Sequence, residues 1–375
     1  MIARFIKANP VFVIAGLFAI ISMFLVPPNA GYASYIDWRT VSLLLCQLMI
    51  VQGLMESGFF RLLSQRIVST VHTTRALGNV LILACFFSSM LVTNDVSLIS
   101  FVPLTILLFS SSGEEKMLIP VLVLETIAAN LGSMLMPFGN PQNLYLYNLS
   151  GISGIRFIKL MLPFTLVSLG LILLSCLFLS RKELAGREEE EEISLGQNIR
   201  TEGFGSLALL TFCILVVFHI GNVPTLLVLC VVFFLFVDRN VFRKVNYVLP
   251  MTFIIFFILT GNIQSLPGFS DALSNVIKEH EMITAVAVSQ VISNVPAAML
   301  LSSFTDNYKA LIIGTDIGGL GTLIASMASL ISFQFYCGSD KARPGKYIGV
   351  FTLFNVIYLI ILLLVTIPAT GGLAS

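Results

Sequence analysis

Thr93-Asn94-Asp95 stands inside one long apolar run, and Gly139-Asn140-Pro141-Gln142-Asn143 stands inside the next. Both are turn and helix-cap chemistry set where a membrane-buried chain would otherwise carry unbroken helix. Asn140 is placed to cap a helix with Pro141 at its first position, and Asn94 or Asp95 to cap the segment after Thr93. A weaker copy follows: Ser293-Asn294-Val295-Pro296, with Asn294 as the cap, then Gly321-Thr322 and Ser326-Met327-Ala328-Ser329. A capped N-terminus presents free N–H groups at the positive end of a helix dipole, which makes an anion site without a charged side chain. Unwound carbonyls beside the same breaks suit Na⁺, with Asn94 and Asn294 as its candidate positions. The binding candidates are therefore Thr93, Asn94, Asp95, Gly139, Asn140, Gln142, Asn143, Ser293, Asn294, Gly321, Thr322, Ser326 and Ser329.

Every Lys and Arg lies at the end of an apolar run or in a loop, so no side-chain cation is offered at mid-depth. Acids at depth are costly and mark function. Asp95 at the first break is the leading candidate for coupling to a proton or cation, against the plainer role of an N-cap. Glu125 and Asp316 lie seven and five residues before Gly132 and Gly321. That rough correspondence suggests a shared coupling role, although either acid could simply pair with polar neighbours. Glu56 sits near a span end and snorkels. His72 and His280 fall in loops, and His219 reads as structural. Gly132, Gly318, Gly319 and Gly321 allow either close helix packing or a backbone role at the breaks. The six cysteines form no Cys-x-x-Cys pair and read as small hydrophobes. No metal-ligand cluster appears, so the only cofactor expected is Na⁺ as a coupling ion.

The elements that must position these residues follow from composition. The chain is 57% hydrophobic and only 11% charged, with a mean hydropathy of +0.95. Soluble domains carry roughly 25% charged residues, so this is an all-α polytopic membrane protein. A net charge of +1 argues against nucleic acid. Arg4 and Lys7 before the run Val11 to Val26 resemble a signal peptide, but no small-x-small cleavage site follows and the run reads as a retained first helix. Spans are expected at about 11–27, 41–59, 117–147 (broken), 155–179, 204–221, 223–237, 246–266, 308–336 (broken) and 346–369. Segments 76–111 and 282–305 do not fit simple crossings and read as re-entrant helical hairpins.

Charges support that topology. With Arg4 and Lys7 in the cytoplasm, sixteen basic residues fall inside and five outside (Arg39, Arg156, Lys159, Lys278, Lys309), a positive-inside bias. The N-terminus is then cytoplasmic and the C-terminus outside, in the cell (inner) membrane. The two hairpins enter from opposite sides. Each follows two spans and precedes a broken span and an unbroken one, which is an inverted repeat of the kind that builds alternating-access carriers. The expected division is 1–180 for the N-terminal repeat, 181–203 for a cytoplasmic linker with the acidic run Arg187 to Glu192, and 204–375 for the C-terminal repeat.

Asn130-Leu131-Gly132-Ser133 leading to Pro137-Phe138-Gly139-Asn140-Pro141-Gln142-Asn143-Leu144 resembles the Gly-Asn-Pro-Gln-Asn signature of the ion transporter superfamily. That group holds citrate-transporter-like, arsenite-permease, NhaD-type antiporter and divalent anion/sodium symporter families, and the chain is most similar to the arsenite-permease/NhaD side. Leu320-Gly321-Thr322 to Ser329-Leu330 and the Ser293-Asn294 hairpin resemble it too. The resemblance implies re-entrant hairpins, inverted repeats and an elevator-type homodimer. In the symporter branch, Ser-Asn-Thr motifs at the hairpin tips hold carboxylate and sodium. Here Thr93-Asn94 and Ser293-Asn294 match, while Asp95 and Val295 stand where the pattern has threonine. That departure weakens dicarboxylate recognition and favours proton or cation coupling at Asp95.

The expectation is a secondary active transporter of a small organic or inorganic anion, coupled to Na⁺ or H⁺. A cation/proton antiporter using Asp95, Glu125 and Asp316 is the first alternative. An intramembrane enzyme is the remote one, since no His-Glu-x-x-His motif and no Ser with a His or Lys partner appears at depth.

Overall fold

The computed structural model describes residues 10–29, 31–60, 62, 71–111, 114–183, 202–266, 274–275, 277–339 and 342–370. Arg4, Lys7 and the acidic run Arg187 to Glu192 lie outside the described residues, as does most of the expected 181–203 linker. Among the described residues the only β contact is an isolated bridge between Thr73 and Glu183, and all other regular structure is helical. The fold is that of an all-α polytopic membrane protein.

The first helices are α1 (Pro10–Leu25), the short α2 (Tyr32–Tyr35) and α3 (Trp38–Glu56). Asp37 caps α3, its carboxylate accepting from the Arg39 and Thr40 N–H groups. α4 (Thr74–Val92) and α5 (Asn94–Ser111) are separated by one residue, Thr93. Ser88 and Ser97 hydroxyls meet at 2.8 Å, whereas nine residues of continuous helix would separate them by about 13 Å. A Cβ on Gly78 would lie 3.9 Å from the Phe109 ring, so the arms stay paired along their length. This is the expected hairpin.

The expected broken span is α6 (Glu115–Ser133) and α7 (Pro141–Ser150), joined by seven non-helical residues, and α8 (Gly154–Leu177) follows. The second half repeats the order after α9 (Phe204–Val217), α10 (Val223–Val237), the short α11 (Val241–Lys244) and α12 (Val248–Gln264). Its hairpin is α13 (Glu281–Ile292) and α14 (Asn294–Leu301), turning at Ser293, and Thr305 reaches back to donate to Glu281 at 3.4 Å. α15 (Tyr308–Ile317) and α16 (Met327–Cys337) form the second broken helix, and α17 (Pro344–Thr370) closes the order.

Among the described residues five helices are long and apolar enough to cross a membrane: Trp38–Glu56, Thr74–Val92, Lys116–Ser133, Gly154–Leu177 and Pro344–Thr366. α9, at 14 residues, is shorter than the 204–221 span expected there, while α10 is the expected 223–237 with Asn222 as its N-cap. The twelve residues of α13 cover only about 18 Å, against a hydrocarbon core of about 30 Å. α6 is the most enclosed of the long helices, while α8 and α17 keep broad apolar faces outward (Leu174, Leu177, Leu353, Leu364).

Both hairpins turn on a non-glycine residue with positive φ: Thr93 at φ 97, ψ 152 and Ser293 at φ 77, ψ 154. That region is almost reserved for glycine and costs about 1–3 kcal/mol per residue. Glycine removes this strain at an entropic cost of about 0.5–1 kcal/mol. Thr93→Gly and Ser293→Gly should therefore each raise thermal stability modestly, by about 1 kcal/mol. Melting of the purified protein in detergent checks this; a fall in midpoint for both variants would show that the tips are not strained.

Candidate functional site

A helix that stops inside a membrane leaves its first N–H and last C=O groups unpaired, and each break here meets that demand with a hairpin tip. The Asn94 N–H donates to the Gly139 carbonyl at 3.2 Å, and the Asn294 N–H donates to the Ala325 carbonyl at 2.9 Å. Gly139 immediately precedes Asn140, the N-cap of α7; Ala325 immediately precedes Ser326, the N-cap of α16. The expected caps at Asn94 and Asn294 are displaced by one residue. Thr93 and Ser293 make the turn, so each asparagine becomes the first helical residue and its amide points sideways toward the break. Asn140 caps as expected, its Oδ1 accepting from the Asn143 N–H at 3.0 Å with Pro141 first in the helix.

The side chains cross-link the two broken helices. Asn140 Nδ2 donates to Asp316 Oδ1 at 2.9 Å, and Gln142 Nε2 reaches the same oxygen at 3.3 Å. In the other direction, Ser326 Oγ donates to Asn130 Oδ1 at 3.0 Å. Asn130 Oδ1 also accepts from Asn94 Nδ2 at 3.0 Å, and Asn130 Nδ2 lies 3.5 Å from Ser329 Oγ. Asn130 lies nine residues before Gly139, and Asp316 lies nine before Ala325. Each cap therefore bonds to the equivalent position of the other broken helix. Close packing follows the same register, since a Cβ on Gly132 would meet Ser89 Oγ at 2.6 Å and one on Gly318 would meet Ser289 Oγ at 2.8 Å.

These contacts border a small, partly open cavity of about 10 Å³, room for roughly one water. It is lined by Asn94 and Asp95 at the start of α5, Pro141 and Gln142 at the start of α7, Asn294 and Val295 at the start of α14, and Ser326 and Met327 at the start of α16. Leu249 of α12 supplies an apolar wall. Four helix N-termini thus converge on one point, and among the described residues no Lys or Arg lines it. Asp95 is the one acidic group in the lining.

The remaining expected residues divide. Gly139, Asn143, Ser293, Ser329 and Asp316 are buried directly behind the lining. Gly321 and Thr322 are not brought to it. Gly321 adopts φ 103, and exposed Thr322 turns to Gln290, donating its N–H to Oε1 and its hydroxyl to the carbonyl, both at 2.9 Å. Glu125 is also elsewhere, wholly buried between α6 and α5, where Thr105 donates to Oε1 at 2.5 Å. The sequence pairing of Glu125 with Asp316 therefore gives way to Asn130 with Asp316.

Three residues were missed. Asn130 had a signal, the shared nine-residue spacing to each break. Gln290 holds the Gly318 and Leu320 carbonyls at 2.9 Å each, and Gln47 of α3 holds the Phe138 carbonyl at 2.7 Å. A lone glutamine in an apolar helix carries no local sign that it will serve a distant break. Among the described residues no group of three His, Cys, Asp or Glu could hold a metal ion.

Residues 1–310 match the family model described as citrate transporter. An uncharacterized transporter of Methanocaldococcus jannaschii is 30% identical over 331 residues, covering 87% of this chain and 88% of that protein. The inner membrane protein YbiR of Escherichia coli is 30% identical over 311 residues, 81% of each chain. The silicon efflux transporter of Oryza sativa subsp. japonica is 30% identical over 186 residues, 49% of this chain and 38% of its own.

The Asn130 contacts give a direct test. Asn130→Ala leaves Asn94 Nδ2 and Ser326 Oγ without their buried acceptor, a destabilisation of about 2 kcal/mol or more, whereas Asn130→Asp keeps an acceptor and should lose less. Detergent melting of the two variants decides it, and equal midpoints would remove Asn130 from the framework of the breaks.

Proposed function

The chain belongs to the citrate transporter family, and from that premise we propose that it is a secondary active transporter of a small organic or inorganic anion, coupled to Na⁺ or H⁺. The observation that carries this reading is the convergence of four helix N-termini on a cavity without side-chain cations. Each N-terminus contributes about half a positive charge, and first-turn N–H groups are directional donors for carboxylate or oxyanion oxygens. Thr93, Asn94, Asn140, Gln142, Asn143, Ser293, Asn294, Ser326 and Ser329 form or support the binding site on this reading, with Na⁺ placed at the Asn94 and Asn294 turns.

A cavity of about 10 Å³ is too small for a substrate of several heavy atoms. Binding then requires the hairpin tips and breaks to part, which suits an alternating-access cycle. The recurring order of hairpin, broken helix and long helix, with the reciprocal caps, supports two inverted repeats divided near residues 181–203. In the proposed arrangement the protein is an inner-membrane homodimer of elevator type, with its N-terminus cytoplasmic and C-terminus outside. The second reading, a cation/proton antiporter, draws on Asp95 in the lining.

Currents from proteoliposomes on a solid-supported membrane separate the two. The panel is citrate, succinate, sulfate, phosphate and arsenite, each with and without Na⁺ and across a pH step. Anion-evoked current is expected; currents evoked by Na⁺ or pH alone would select the antiporter. Asn94→Ala and Asn294→Ala should each lower anion transport about tenfold or more while the protein stays inserted, and wild-type rates in both would remove the hairpin tips from the mechanism. Asp95→Asn abolishes antiport on the second reading but leaves anion binding on the first.

A further inference from the structure

Directly behind the cavity lies a cluster whose hydrogen bonds do not balance. Asp316 at the end of α15 is 2% exposed. Its Oδ1 is served by Asn140 and Gln142, while its Oδ2 is buried and has no donor among the described residues. The Asn143 amide is wholly buried and lies within hydrogen-bond reach of the same carboxyl. It offers no relief, because Nδ2 is aimed at the Met134 carbonyl at 3.5 Å and Oδ1 is itself without a donor. Two buried acceptors of one cluster, Asp316 Oδ2 and Asn143 Oδ1, are thus left without donors, a deficit that one bound positive charge reduces.

We infer that Asp316 and Asn143 form the site of one monovalent cation, a proton or Na⁺, whose binding is coupled to the anion in the cavity. The inference rests on the reading of the protein as a cation-coupled anion transporter and adds a coupling group to the Na⁺ positions at the Asn94 and Asn294 turns. The link to the cavity runs through two side-chain hydrogen bonds. The two donors on Asp316 Oδ1 are Asn140, which caps α7, and Gln142, which lines the cavity. A cation on the other carboxyl oxygen changes the charge that holds these two residues in place. Among the described residues, the polar side chains at the Asp316 carboxyl are the amides of Asn140, Gln142 and Asn143. Asp95 is placed differently, in the lining itself, where it meets the substrate. Glu125 also leaves a buried oxygen, Oε2, without a donor, but with Oε1 bonded to Thr105 it stands outside the cavity lining and its hydrogen-bond network. The equivalent position in the first broken helix is the neutral Asn130, so the cation site belongs to the second half alone.

The test is ion binding by the full-length protein in detergent without any anion, so that it stands whether or not anion transport is observed. Thermal unfolding is followed against Na⁺ at fixed pH, with choline as the balancing ion, and against pH without Na⁺. A ligand of the folded state raises the midpoint in a saturable way, and a Na⁺ response at constant pH names Na⁺ where a response to pH alone names the proton. In Asp316→Asn the half-saturating ion concentration should rise about tenfold or more, the scale of one lost contact to a charged group. Asn143→Ala should weaken it in the same direction with the carboxyl intact, which covers the case that Asp316→Asn does not fold. The double variant Asp316→Asn with Asn143→Asp moves the carboxylate across the site and should restore the response, and Glu125→Gln should retain it. An unaltered half-saturating concentration in both Asp316→Asn and Asn143→Ala, its loss in Glu125→Gln, or a wild-type protein answering to neither ion overturns the inference. Loss of anion-evoked current with these ion responses intact would instead count against the transport reading alone.

Discussion

A broken helix in a low-dielectric interior survives only if the backbone groups released at the break find partners, since each unpaired one costs several kcal/mol in hydrocarbon. Two backbone hydrogen bonds meet that constraint, from Asn94 to Gly139 and from Asn294 to Ala325. Each carries a second demand, that a hairpin tip be present at the depth of the break. The extended, positive-φ turns at Thr93 and Ser293 deliver the asparagine N–H there without any intervening loop. Tip and break in each half therefore stand or fall together, and the glycine contacts at Ser89 and Ser289 fix how closely the first hairpin arm can lie against the broken helix.

Side chains then tie the halves to each other. Because Asn140 reaches Asp316 and Ser326 reaches Asn130, neither broken helix has a fully satisfied end without the other. The arrangement is nearly symmetric in its contacts and plainly asymmetric in its chemistry. Asn130 offers a neutral oxygen that takes two donors, whereas Asp316 offers two oxygens and fills only one. Glutamine reinforcement is also unequal, with Gln290 gripping the second break from its own hairpin and Gln47 gripping the first from α3. The two hairpin-and-break units, alike in outline, differ at the positions where charge matters.

Much of this was legible in the sequence, and the parts that were not share a cause. The hairpins and breaks announced themselves because Thr93-Asn94-Asp95 and Gly139-Asn140-Pro141-Gln142-Asn143 are polar or helix-breaking residues inside apolar runs, a conflict that only buried turns resolve. The cap on α7 was readable because Asn followed by Pro specifies it locally. The cap on α5 was misplaced by one residue because nothing local says that Thr93 will accept a glycine-like conformation; that is imposed by the bond to Gly139, 46 residues away. Register failed for a similar reason. Counting back from the glycines paired Glu125 with Asp316, but Gly321 belongs to a loop held by Gln290, and the structural landmarks are the carbonyls of Gly139 and Ala325. Thr322 was chosen for its neighbours in sequence and turned outward with that loop.

The electrostatic balance at the site explains why coupling and substrate recognition cannot be separated on the proposed reading. Four helix N-termini at about half a charge each bring roughly two positive charges to the cavity. Two carboxylates, Asp95 in the lining and Asp316 behind it, bring up to two negative ones. With both ionised, the field at the centre nearly cancels and an anion gains little by leaving water. Neutralising one carboxylate with a cation tips the balance by a full charge at short range, where an effective dielectric near 20 makes it worth about 4 kcal/mol at 4 Å. That is close to a thousandfold in anion affinity, larger than any single hydrogen bond in the cavity could supply. An anion then enters with its cation or hardly at all. A permanent lysine at the same point would hold the anion regardless of the cation and uncouple the two, which gives a physical reason for a lining built from helix ends and amides instead.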